Sequence, residues 1–132
     1  MTDRQLIRYD ILLPLMESLE ATDITIDTIR GTVYARILPL TDSLVLFLSS
    51  TKGFRIGPIA LALPRGIDSR GPLSSSLFGM DSEQMMVRVI AEQVSQWLGL
   101  PCLAIVSIND LDRQMLMEIV RSLRTHLLPA DD

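Results

Sequence analysis

Catalytic equipment is scarce in this chain, which carries one cysteine and one histidine in 132 residues. A single Cys102 excludes an internal disulfide and suits a reducing compartment. One Cys and one His cannot hold zinc without carboxylates, and no metal-ligand spacing occurs. Nucleophilic catalysis needs a base beside Ser, Thr or Cys. His126 falls in what reads as a last helical turn, where a cation suits the helix dipole. Cys102 opens an apolar strand and reads as core. Gly53, Gly57, Gly66 and Gly71 never fall in a strand–GxGxxG–helix context, so there is no phosphate-cradling loop. No apolar run approaches the ~20 residues of a bilayer span, and the opening MTDRQLIRYD mixes charges where a signal peptide would be apolar. Twelve basic residues are scattered among sixteen acidic ones, a net charge of −4 with no basic stripe. Nucleic acid and membrane are therefore not expected partners. Asp110, Asp112 and Glu118 have the spacing of capping and solvation, and Ser74, Ser75 and Ser76 read as a solvated loop. The residues point to no catalytic, cofactor-binding or metal-binding site, and to a protein that is not an enzyme.

Apolar material, by contrast, is plentiful. Hydrophobic residues make up 48% of the chain and mean hydropathy is +0.32, slightly above what a monomeric domain of this size needs. The length suits one domain with one core. The excess points to burial against another protein.

The centre of the sequence is a meander of three short strands, expected over residues 33–40, 43–49 and 56–63. Polar turns at Thr41-Asp42 and Lys52-Gly53 separate them. With Thr41-Asp42 at the tip, Pro39 faces Leu44, Ile37 faces Leu46 and Ala35 faces Leu48. These six share one apolar face, because side chains alternate along a strand. The other face pairs Tyr34, Arg36 and Leu38 with Ser49, Phe47 and Val45. Before the meander, residues 24–29 alternate as a half-exposed strand, turned by Arg30-Gly31. Residues 64–76 read as the longest irregular and most mobile segment, with Leu73, Leu77 and Phe78 able to add a short edge strand.

Two helices follow. Asp81 caps the first, with Gln84 at capping-box spacing. Its stripe is Met86, Ile90, Val94 and Trp97, and it stops at Gly99 and Pro101. Residues 102–108 are apolar on both faces and read as a central strand. Asn109 or Asp110 caps the last helix, whose stripe is Leu116, Ile119, Val120, Leu123 and Leu127. Off-stripe pairs Met85/Val89 and Leu111/Met115, with Met117 on the opposite flank, suit an adaptable protein surface as well as a wider core. Residues 1–22 form an N-terminal extension of uncertain structure, with a short helix as one reading. Residues 23–132 form a single domain.

The order defines an α+β fold: an antiparallel sheet of five to six strands, meander first, with two long helices on one face. Two helices cannot cover two faces. Either the N-terminal segment or another chain covers the second, and a dimer through that face is expected. The candidate partner-binding residues are Tyr34, Arg36, Leu38, Val45, Phe47, Met85 and Val89.

Three segments, ARILPLTDSLVLFLSS (35–50), PLSSSLFG (72–79) and AEQVSQWLGLPCLAIVSIND (91–110), together resemble the proteasome assembly chaperone 4 family. The most specific pieces are Leu40-Thr41-Asp42-Ser43-Leu44 and Ser75-Ser76-Leu77-Phe78-Gly79, and the resemblance spans residues 24–127. It implies a non-catalytic chaperone that needs no cofactor. Such a protein forms a heterodimer with a proteasome assembly chaperone 3-like subunit, and the pair binds α-type proteasome subunits, α5 foremost, while the 20S α-ring forms. Location would be cytoplasmic, or nuclear as well. From the residues alone, a small longin- or roadblock-like adaptor for trafficking or signalling complexes also stands. An enzyme with its site at an oligomer interface fits least well.

Overall fold

A computed structural model describes residues 20–64, 73–76 and 82–128. Six strands form one sheet: β1 (Thr22–Thr28), β2 (Gly31–Pro39), β3 (Leu44–Ser49), β4 (Ile59–Leu63), β5 (Leu73–Ser76) and β6 (Cys102–Ser107). Two helices, α1 (Ser82–Leu98) and α2 (Arg113–Leu127), precede and follow β6. The proposed N-terminal helix, the Asp81 cap, Leu77, Phe78 and Arg65–Arg70 positions lie outside the described residues.

The fold is α+β, as the pattern of elements requires. Register in the β2–β3 hairpin is the expected one: Pro39 opposite Leu44, Ile37 opposite Leu46, Ala35 opposite Leu48. Leu40 N–H donates to the Ser43 carbonyl at 2.9 Å, closing the turn over Thr41-Asp42. The meander ends there. Strand order is β1-β2-β3-β6-β4-β5, with β6 parallel to β3 and antiparallel to β4. The sheet is thus mixed, and the third strand of the expected meander is displaced by one position. Cys102–Ser107 is apolar on both faces and so needs a neighbour on each side as well as cover above and below. It takes the place beside β3 that sequence order suggested for β4. Strand β4 itself starts at Ile59 rather than at residue 56, since residues 50–58 form the connection around the end of β6. Gly57 permits that connection: a Cβ there would collide with the Val106 carbonyl.

One face of the sheet carries Ile26, Val33, Ala35, Ile37, Leu44, Leu46, Leu48, Ala60, Ala62, Cys102, Ala104 and Val106, all buried. The helices cover this face. Helix α1 buries Val87, Ile90, Ala91, Val94 and Leu98, and α2 buries Met115, Ile119, Leu123 and Leu127. Gly99, at φ +69°, ends α1 with its N–H on the Ser95 carbonyl at 2.8 Å, the stop its position predicts. The Gln84 side chain is buried, and its Nε2 donates to the Ile59 carbonyl at 2.9 Å, fastening α1 to β4.

Three further expectations change. Helix α2 is capped by Asp112, whose Oδ1 accepts from Met115 N–H at 2.9 Å, rather than by Asn109 or Asp110. Leu111 and Met115 belong to the core, so of the two readings open for this pair the wider buried face stands. The β1–β2 turn is tied down beside them: Arg30 reaches Asp112 at 2.8 Å, and Glu118 accepts from Ile29 N–H at 3.2 Å. Ser74, Ser75 and Ser76 lie in edge strand β5, opposite Ala62, Leu61 and Ala60. The end of the expected mobile loop thus gives way to a strand.

Candidate protein-contact face

Among the described residues, no helix lies on the second face of the sheet. Its side chains follow from the register. One row crosses four strands as Leu38, Val45, Leu103 and Leu61, and the next crosses as Arg36, Phe47, Ile105 and Ile59. At about 4.8 Å between strands, each row is roughly 14 Å wide. Seven of these eight residues are aliphatic or aromatic. Leu61 and Leu63 are 38% and 41% exposed, and the central members are half-buried.

The two ends of this face differ. At one end, Tyr34, Ser49 and Ser107 form a third, more polar row, and the connection from β3 to β4 folds back over it. Ser49 organises that connection from a buried position. Its Oγ accepts from Thr51 N–H at 3.1 Å and lies 3.1 Å from the Gly53 carbonyl, to which it donates. Ser50 N–H donates to the Ser107 carbonyl at 3.0 Å, and Val106 N–H to that of Pro58 at 3.0 Å, so both ends of the connection are sewn to β6. Phe54 is thereby laid on Phe47, ring centroids 5.8 Å apart and tilted by 58°. The Arg36 guanidinium stands 4.9 Å from the Phe54 centroid and holds Asp23 through two bonds of 2.7 and 2.8 Å. That hydrogen-bonded ion pair keeps the Asp23 carboxyl below its ordinary range and raises Arg36. At the other end, the row from Leu38 to Leu61 lies bare among the described residues.

Of the expected contact residues, Tyr34, Arg36, Leu38, Val45 and Phe47 come together on this face. Met85 and Val89, 49% and 37% exposed, do not join them, because they lie on the outer side of α1, which packs on the opposite face. Sequence reasoning missed Phe54, Ile59, Leu61, Leu63, Leu103 and Ile105. The two-sided apolar pattern of 102–108 already implied Leu103 and Ile105; only the place of β6 was needed to find them.

The reactive candidates are kept apart by their surroundings. Cys102 is buried against the helices, and desolvation pushes its thiol up to about 12. His126 is exposed near the end of α2, its Nδ1 2.9 Å from the Ser122 carbonyl. Among the described residues, no group of three or more His, Cys, Asp or Glu side chains is placed to hold a metal ion, and no helix is long and apolar enough to cross a membrane. What the geometry offers is a broad, shallow, apolar sheet face of the kind that meets another protein.

Comparison with solved structures finds the same architecture in a chaperone. The chain matches one in the crystal structure of a chaperone complex for yeast 20S proteasome assembly, with a TM-score of 0.61 and 15% identity, over 82% of this chain and 94% of that one. At that identity the likeness is one of fold. No protein-family model matches the sequence, and no curated protein matches it.

Proposed function

We propose that this protein is a proteasome assembly chaperone of the chaperone 4 type. It pairs with a chaperone 3-like subunit through the open sheet face, and the pair binds α-type proteasome subunits, α5 foremost, as the α-ring forms in the cytoplasm or nucleus. The reading is supported by the near-complete coverage of a yeast assembly-chaperone chain by the same fold. Of the residues that resemble the family, those at 40–44 form the β2–β3 turn and Ser75 and Ser76 lie in β5. The work is non-catalytic: the chain presents a surface that holds subunits in order and excludes wrong contacts. The observation that carries the pairing is the row Leu38, Val45, Leu103 and Leu61, aliphatic throughout and without a helix above it among the described residues. A row of this kind in water costs ~25 cal/mol per Å2 of apolar surface left unburied.

Affinity capture of the tagged full-length protein from its own cells tests the reading. Co-purification of proteasome α-subunits with a second chaperone chain is the expected result. Recovery of small GTPases or coat components in their place would make the protein an adaptor and overturn the assignment.

A further inference from the structure

Strand β1 is an outermost strand of the sheet, and its sequence Thr22-Asp23-Ile24-Thr25-Ile26-Asp27-Thr28 reads the same in both directions. Among the described residues, only β2 pairs with it. An outermost strand offers a row of backbone donors and acceptors to any extended chain. A palindromic edge is also a special case for self-recognition. Two copies set antiparallel about Thr25 would match every residue with its own kind: Thr with Thr, Ile24 with Ile26, and Asp23 with Asp27. The isoleucine pairs would extend the helix-covered face, where Ile26 is buried and Ile24 packs against the core. The aspartate pairs would set carboxylates directly opposite each other twice over, because the two-fold axis repeats the contact. Like charges in that position repel.

We infer that the outer edge of β1 accepts an antiparallel partner strand with basic residues four positions apart, and refuses a second copy of itself. Asp23 and Asp27 lie on the same face, roughly 13 Å apart, and both are exposed. Asp23 is oriented by Arg36, and Asp27 accepts from the Thr32 hydroxyl at 3.2 Å, so each carboxylate is fixed in place by a residue of the neighbouring strand β2. The complementary strand reads basic, apolar, any, apolar, basic. Its apolar residues meet Ile24 and Ile26 while its cations meet the two carboxylates. This edge is separate from the sheet face assigned above to the chaperone partner, so the two readings stand or fall independently.

Charge exchange on the full-length protein tests it. Asp27→Lys leaves the Asp23–Arg36 pair intact and turns both like-charge contacts of the two-fold arrangement into Asp23–Lys pairs. This variant should self-associate about tenfold or more tightly than the wild type in sedimentation velocity, and added salt should weaken the gain. The double variant Asp23→Lys/Asp27→Lys serves as the basic strand. It should fail to pair with itself and should form a mixed species with the wild type. Association through the apolar face has the opposite signature, since it does not depend on the sign of residue 27 and is not weakened by salt. An Asp27→Lys protein of unchanged circular dichroism that associates no more tightly than the wild type would overturn the inference. So would a mixture of wild type and double variant that yields no mixed species.

Discussion

The two faces of one sheet are built from the same strands, often from adjacent residues, yet they obey different rules. Leu46 and Phe47 are neighbours in β3. Leu46 is fully buried beneath the helices, while Phe47 points the other way and meets Phe54 from a connecting loop. The covered face is uniformly aliphatic and closes on itself. The open face is graded, polar and roofed at one end and, among the described residues, bare at the other. Apolar side chains that a domain does not bury alone mark where it meets something else.

The largest expected effect lies on the covered face. Leu46→Ala should cost ~2–5 kcal/mol of stability, because the cavity lies where strands and helices cannot both collapse. Denaturant unfolding measures it directly. Loss of well under 1 kcal/mol would mean the packing around Leu46 is looser than its burial indicates.

Next comes the bare end of the open face. Leu61→Asp should leave the unfolding midpoint almost unchanged, since Leu61 is 38% exposed and the new carboxylate stays hydrated in the lone chain. Its partner would have to bury that charge unpaired, so association with the chaperone partner should weaken by roughly a hundredfold or more, read by titration calorimetry. Unimpaired association would move the interface away from this row.

A smaller effect is expected where the two regimes meet. Ser49 is buried but belongs to the open face, and its hydroxyl holds the turn that places Phe54. Ser49→Ala should cost ~0.5–1.5 kcal/mol through the lost hydrogen bonds and expose more of Phe47, increasing the binding of an apolar dye. Dye binding equal to the wild type would show that the ties to β6 alone keep Phe54 in place.

Much of this was legible because strands alternate with period two. Once Thr41-Asp42 was placed at the hairpin tip, the facing pairs and the two faces followed. The terminal Gly99 and the central, two-sided character of residues 102–108 were equally plain. What could not be read was which strand β6 would insert beside, since apolar pattern fixes how many neighbours a strand needs and not which ones. That single gap hid Leu103, Ile105 and Leu61 from the candidate site. Phe54 was hidden for a different reason: one aromatic in a polar turn carries no periodicity, and its position depends on Ser49 and the ties to β6. Leu111 and Met115 looked peripheral because the stripe of α2 was drawn from the helix alone, without the β1–β2 turn held beside it by Arg30 and Glu118.

The smallest effect separates the faces by pH. On the covered face, burial lifts the Cys102 thiol from 9.0 to about 12, so the folded state holds that proton more tightly than the unfolded chain does. Its stabilising contribution is complete below about 9 and drains away as pH climbs through about 12. On the open face the sign reverses. The ion pair with Arg36 lowers Asp23 from 3.8, so the folded state releases that proton more readily. The contribution is present above 3.8 and is lost as pH falls below it. Because this pair stands in solvent, its loss should be slight and should shrink further in salt. Stability should therefore be flat with respect to these two groups across neutral pH, with a salt-insensitive fall in alkali and a shallow, salt-sensitive one in acid. Thiol labelling checks the alkaline arm without unfolding curves: in native protein at neutral pH, Cys102 should react far more slowly than in denaturant. Equal rates would mean that the strand bearing Cys102 opens freely, and the covered face would lose its claim to be the rigid half of the sheet.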